Sequence, residues 1–272
     1  MNCSQEQAET ILKMVEERLG EDRSPAARLK LIWWTLLCTR SRILTNELRG
    51  FTQDRVVDGP FAGMKLTDDV LGQYQAPVLL GCYEHELHPV MERIIATPYE
   101  RIINIGCSVG YYAVGLALRM PRARIDAYDI SPEARARCTA LAALNGVQER
   151  VHIGERFDGA DFASYAGGKV LALVDIEGGE REMLDPALYP ALGGMDILVE
   201  LHDVIDPALS KTIPARFAAT HDIEIIANRD AFPDISRFVK PDMFFDPFDH
   251  LILGWEGRGG LTPWGFFRTK TP

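Results

Sequence analysis

The chain has 272 residues, 47% of them hydrophobic, which suits one large domain with a sizeable core and an appended segment. Its 29 basic and 39 acidic residues leave a net charge of -10, a surface that repels phosphate backbones and argues against a nucleic-acid partner. Five cysteines, odd in number and without C-x-x-C spacing, fit a reduced cytoplasm; residues 29–38 are too short an apolar run to span a membrane, and the start lacks the basic residues of a signal peptide.

In chain order, residues 4–19 place Ala8, Ile11, Leu12, Val15 and Leu19 mostly at helical spacing, with Ser4 as cap and Gly20 as stop. A second helix is expected from Pro25 to about Leu48, ended by Gly50. Residues 51–66 read as short extended pieces around the Asp58-Gly59 turn, a hairpin. Residues 1–60 are therefore expected to form a helical cap or dimerisation segment, with Trp33 and Trp34 as a pocket wall or a homodimer contact, ahead of a second domain over 61–272. The block Glu84-His85-Glu86-Leu87-His88 puts its histidines three apart, not the four of the zinc motif, and reads as an exposed helix face.

From Arg101 the pattern becomes strand, helix, strand. Strands expected at 102–105, 123–128, 151–153, 170–174 and 197–199, the fourth a clean apolar run, alternate with helices expected at 111–119, 132–144 and about 207–219. Continuous apolar runs of this kind signify a parallel sheet buried on both faces. Two more strands, 223–227 and 250–254, bring the count to seven. Between them, residues 229–249 are rich in aromatics, including Phe232, Phe238, Phe244, Phe245 and Phe248, and suit the wall of a flat or apolar acceptor pocket or plain core packing.

The first strand empties into Gly106-Cys107-Ser108-Val109-Gly110, and a helix follows at Tyr111. Glycines at 106 and 110 let the backbone turn sharply and approach a ligand, and the helix points free N–H groups into the same space. The second strand ends in Asp129, placed to accept hydrogen bonds from both ribose hydroxyls of an adenosine ligand. Gly106 and Gly110 are four apart with Ser108 between them, so the turn lacks the second glycine that a nicotinamide dinucleotide needs.

The spacing Asn104-x-Gly106-x-Ser108-x-Gly110 resembles the first motif of class I S-adenosylmethionine (SAM) methyltransferases, with Asn104 in place of the usual acid and Ser108 in place of a glycine. Residues 61–264 resemble that class, and the segments Leu79-Leu80-Gly81-Cys82-Tyr83-Glu84, Gly110-Tyr111-Tyr112, Asp175-Ile176-Glu177-Gly178-Gly179-Glu180 and Glu200-Leu201-His202 are similar to FkbM-type small-molecule O-methyltransferases. The resemblance implies a Rossmann-like α/β sheet in the order 3-2-1-4-5-7-6 with the last strand antiparallel. It implies SAM as cofactor, held by Tyr83, Glu84, Asn104, Gly106, Ser108, Gly110, Tyr111, Asp129, Ile130 and Asp175, with Glu84 on the methionine amino group to compensate for Asn104. The expected partner is a small-molecule acceptor.

Methyl transfer to a hydroxyl needs close positioning and removal of a proton. The fourth and fifth strand tips carry Asp175, Glu177, Glu180, Glu200, His202 and Asp203. His202 reads as a general base with Glu177 or Glu200 fixing its tautomer, and Asp175 beside it. The same tips also suit a divalent cation on Asp175, His202 and Asp203, or a purely structural histidine. Chemistry other than methyl transfer, and a catalytically silent scaffold, stay open beside these.

Overall fold

The computed structural model describes residues 5–19, 24–229, 248–258, 260 and 262–270. The expected cap Ser4, the stop Gly20 and most of the aromatic segment, residues 230–247, lie outside them. Helix α1 (Gln5–Leu19) is followed by α2 (Pro25–Thr52), whose first turn is capped by Ser24 accepting from the Ala27 N–H, with Pro25 just inside it. This helix runs past Gly50, where the sequence suggested a stop. Leu48 and Thr52 are buried, and Arg49 grips Asp54 with two bonds of 2.6 and 2.8 Å, so the left-handed cap falls at Gln53 instead. The expected hairpin reduces to a single antiparallel bridge, Arg55 to Lys65.

Helix α3 (Asp68–Leu80), a 3-10 turn over His85–Leu87 and α4 (His88–Ala96) lead to β1 (Arg101–Ile105). Then follow α5 (Tyr111–Arg119), β2 (Arg124–Tyr128), α6 (Pro132–Leu144), β3 (Val151–Gly154), β4 (Val170–Val174), α7 (Glu180–Met183) and β5 (Asp196–Glu200). The chain closes with α8 (Leu209–Phe217), β6 (His221–Ile226), α9 (Asp249–Leu253) and β7 (Trp264–Thr269).

The sheet order is β3-β2-β1-β4-β5-β7-β6, and β7 runs antiparallel to both its neighbours while the other pairs are parallel. The order is the expected one, but its last strand is not residues 250–254. That stretch is α9: Leu253 is buried, Leu251 is exposed, and the buried Asp249 carboxylate takes two bonds from Arg40 on α2, at 2.8 and 2.5 Å. The three-residue apolar run Leu251-Ile252-Leu253 reads equally as strand or helix, and this salt bridge decides for the helix. The seventh strand is the aromatic run Trp264-Gly265-Phe266-Phe267.

Successive strand residues point to opposite faces. Ile102, Leu171, Leu173 and Leu198 pack with α5 and α6 into one core, while Ile103, Ala172, Val174 and Ile197 pack with α8 into the other. Both faces are covered, so the carboxyl ends of β1, β2, β3, β4 and β5 remain as the open edge where loops can build a site. Among the described residues no helix is long and apolar enough to cross a membrane.

Candidate active site

A cavity of about 540 Å3 opens at that edge, within the size range of ligand pockets. It is lined by Gly106 after β1, Asp129 and Ile130 after β2, Phe157 and Asp158 after β3, and Asp175 and Ile176 after β4. Its lining combines aromatic rings, aliphatic side chains and a carboxylate, the groups a nucleoside needs.

The first turn is held by its own backbone. The Gly106 and Cys107 N–H groups both donate to the Tyr128 carbonyl, at 2.8 and 2.9 Å. Gly106 has φ +82°, and a Cβ there would sit 1.6 Å from the Asp175 carbonyl oxygen, so only glycine lets the β1 and β4 tips meet this closely. Asp129 accepts from the Ser108 N–H through Oδ2 and from the Ser131 N–H through Oδ1, both at 2.9 Å. Each oxygen keeps a further lone pair, so the carboxylate can shape the turn and still accept two hydroxyls.

On the other side of Gly106 a small cavity of about 20 Å3 is lined by Tyr83, Asn104, Ser108, Tyr111, Tyr112 and Asp175 among others. The Asn104 side chain is buried and its Oδ1 has no hydrogen-bond partner. An orphaned acceptor of this kind fits the amino group of an amino-acid end, although a space this small admits one only as neighbouring side chains give way.

Behind Asp175 lies the histidine. His202, after β5, is buried, and its Nδ1 lies 2.8 Å from Glu180 Oε1. That carboxylate, on the first turn of α7, is fully buried and also accepts from the Ile176 and Gly178 N–H groups at 3.3 Å. The other ring nitrogen, Nε2, faces Glu177 at 3.4 Å, Glu200 at 3.5 Å and Asp175 at 3.6 Å. Burial pulls the imidazole's pKa down, but the Glu180 hydrogen bond and the charges of Glu200, Glu180 and Glu177 outweigh it, and the net direction is upward. Burial tends to raise Glu180, and its bond to His202 turns the net shift downward. Asp175 is pushed well above the carboxylate range, first by burial and then by Glu200 and Glu84.

Glu84, expected on an exposed helix face, is buried. It adopts φ +48° and hydrogen-bonds the Tyr112 hydroxyl. Burial, followed by the neighbouring Glu200, raises its pKa well above normal. Five non-glycine residues among those described have positive φ, and three of them, Glu84, Ser108 and Glu177, stand at this edge, where backbone strain is commonly concentrated at functional sites.

The structure thus gathers Asp175, Glu177 and His202 at one point, and places Gly106, Asp129, Ile130 and Asp175 on the large cavity and Tyr83, Asn104, Gly106, Ser108, Tyr111 and Asp175 on the small one. Tyr111 is mainly a core residue, edge-on to Phe61 and Tyr83. Gly110, at φ +90°, packs its backbone on Cys138 and touches neither cavity. Glu180 orients His202, where Glu177 or Glu200 was expected to do so. Asp203 stands apart from the histidine's partners and accepts from the Ser210 N–H at 2.9 Å; the third group that can share a cation with Asp175 and His202 is Glu200. Phe157, Asp158 and Tyr189 went unseen in the sequence, although the carboxyl end of β3 was the signal that pointed to the first two.

The sequence is similar to release factor glutamine methyltransferase of Deinococcus radiodurans, 25% identical over 191 residues that cover 66% of this chain and 63% of that protein. A second relative of the same name, from Chlorobaculum tepidum, is 35% identical over 94 residues, 32% of each chain. The chain thus spans a little under two thirds of the length of the first of these relatives. Among solved structures it is similar to the O-methyltransferase TomG from Streptomyces achromogenes, in complex with SAM, with a TM-score of 0.49 and 14% identity over 76% of this chain and 92% of that one. An O-methyltransferase from Bacillus cereus gives a TM-score of 0.44 and 10% identity over 85% and 90%. No protein-family model matches the chain.

Proposed function

We propose that this chain is a class I SAM-dependent methyltransferase that methylates a hydroxyl group of a small-molecule acceptor, as an FkbM-like enzyme. The observation that carries this reading is the buried Glu180–His202 pair at 2.8 Å, set beside Asp175 at the cavity edge. Bound SAM supplies an electrophilic methyl group. Asp129 would hold the ribose hydroxyls, Phe157 and Ile130 would flank the base, and Asn104, with Glu84 behind the small cavity through Tyr112, would receive the amino group. His202 Nε2 takes the acceptor proton, and Glu180 at Nδ1 fixes the tautomer and stabilises the imidazolium that results. We take residues 1–60 as a cap over this edge or a homodimer contact, with Trp33 exposed on α2.

Two other readings rest on their own observations. Asp175, Glu200 and His202 each offer a ligand atom, all within 4.8 Å of one another, which supports a divalent cation that would acidify the acceptor instead. The named substrate of the curated relatives is a release factor glutamine, which supports an amide acceptor. One experiment sorts them: calorimetry with S-adenosylhomocysteine, then methyl transfer by mass spectrometry to phenols, aliphatic alcohols and a glutamine-containing peptide, with and without EDTA. Transfer to hydroxyls in EDTA is the expected result; transfer to the peptide alone would overturn the small-molecule reading.

A further inference from the structure

A second buried charge cluster adjoins the histidine's circle through Glu84, and its arginine has no part in the chemistry above. Arg258, after α9, donates from Nε to Glu256 at 2.8 Å. Its two terminal nitrogens lie 3.1 Å from Glu86 and 3.4 Å from Glu84. Glu256 in turn accepts the backbone N–H of Glu84 at 2.8 Å, which holds that residue in its left-handed conformation. Glu84 and Glu86 are both buried, and neither Glu86 oxygen has a hydrogen bond. One guanidinium, with His85 Nδ1 at 3.6 Å from Glu86 beside it, therefore serves three carboxylates from two distant stretches of the chain. Buried charges are tolerated only when paired, so a cluster with more acid than base is stable only where another cation visits or a proton is taken up. The Tyr112 hydroxyl on Glu84 carries this arrangement to the wall of the small cavity.

We propose that Arg258 is a positioning residue for the amino-acid end of the cofactor: its fork fixes Glu84 and Glu86 against Glu256, and so aims Glu84 and Tyr112 at the ammonium group. The proposal rests on the reading of the two cavities as a SAM site. An Arg is suited to this because one planar group hydrogen-bonds Glu256 through Nε while its terminal nitrogens stay within ion-pair distance of the other two carboxylates, a span that the compact ammonium of a lysine does not cover.

The test compares two ligands that share the nucleoside and differ in the amino acid. S-adenosylhomocysteine carries it and 5′-methylthioadenosine does not. In Arg258→Met the affinity for S-adenosylhomocysteine is expected to fall about tenfold to a hundredfold, the range for losing a charge-supported contact, while methylthioadenosine binds as in the wild type. Arg258→Lys keeps the charge, serves where the methionine variant does not fold, and is expected to lose affinity for S-adenosylhomocysteine alone, to a smaller extent. Unchanged binding of both ligands, or equal loss of both, would overturn the proposal and leave the cofactor reading standing. A wild-type protein that binds neither ligand would overturn the cofactor reading itself.

Discussion

Glu180 and His202 form a pair sealed from solvent: the carboxylate is fully buried, the imidazole nearly so, and Oε1 meets Nδ1 at 2.8 Å. Glu180 has its pKa lowered and His202 has its raised, so each holds the other in its charged form. The stabilisation from Glu180 is present above the ordinary carboxyl value of 4.5 and is lost as pH falls through its lowered folded value. That from His202 is complete below the ordinary imidazole value of 6.5 and is lost as pH rises through its raised folded value.

The first prediction follows from these two limbs. Glu180→Gln should cost roughly 1–3 kcal/mol of stability, with the largest deficit between the ordinary values of 4.5 and 6.5 and a smaller one on either side. Thermal melts of both proteins across the acid and alkaline limbs measure this. A deficit independent of pH would mean that the pair is not charged.

A backbone contact gives the second. Gly106→Ala places a Cβ 1.6 Å from the Asp175 carbonyl oxygen at φ +82°, so the β4 tip must move. Gly146→Ala, at φ +69° with nothing within 4 Å, carries only the conformational cost of about 1–2 kcal/mol. Denaturant melts should show the first to be the more damaging, and S-adenosylhomocysteine binding should vanish in that variant alone. Equal melts would mean that the two strand tips separate freely.

The third concerns Asp129. Its carboxylate ties the Ser108 and Ser131 N–H groups and lines the cavity. Asp129→Ala is expected to weaken cofactor binding by roughly 1–3 kcal/mol, and to weaken methylthioadenosine as much as S-adenosylhomocysteine, because the ribose is common to both. Calorimetry with the two ligands reads it, and unchanged affinity would remove the ribose assignment.

The centre of the sheet was legible because β4 is a run of consecutive apolar residues and β1 and β5 are built on shorter ones, and such runs are buried on both faces regardless of what surrounds them. The turn at Gly106 was legible because a left-handed residue in close contact leaves a mark in the sequence. What escaped was set by contacts across long separations. Arg40 on Asp249 makes a helix of residues 249–253, and nothing local announces that pairing. The same holds for Arg258 on Glu84 and Glu86, which converts an apparently solvated acidic stretch into a buried one. His202 was recognisable as a type of residue at a strand end, but its partner was not, since Glu177, Glu180 and Glu200 are equally near in the chain's pattern and only the turn into α7 brings Glu180 to Nδ1.

The last prediction separates a histidine base from a bound cation at the crowded strand tips. Nε2 faces Asp175, Glu177 and Glu200 at 3.4–3.6 Å, which suits either a proton shared with carboxylates or a metal between them. With a base, activity persists in EDTA, kcat rises with pH through one ionisation, and that ionisation lies above 6.5 because the surrounding carboxylates hold the imidazolium. Replacing Glu180 by Gln should then move the ionisation downward, and His202→Ala should lower kcat by roughly 10^2 to 10^4 with cofactor affinity kept. With a cation, EDTA abolishes activity, magnesium or manganese restores it, and Asp175→Asn and Glu200→Gln are as damaging as His202→Ala. The base is the expected outcome, since Glu180 at Nδ1 leaves Nε2 to exchange a proton. A His202→Ala enzyme fully active in EDTA would sink both and leave positioning of the acceptor as the source of the rate.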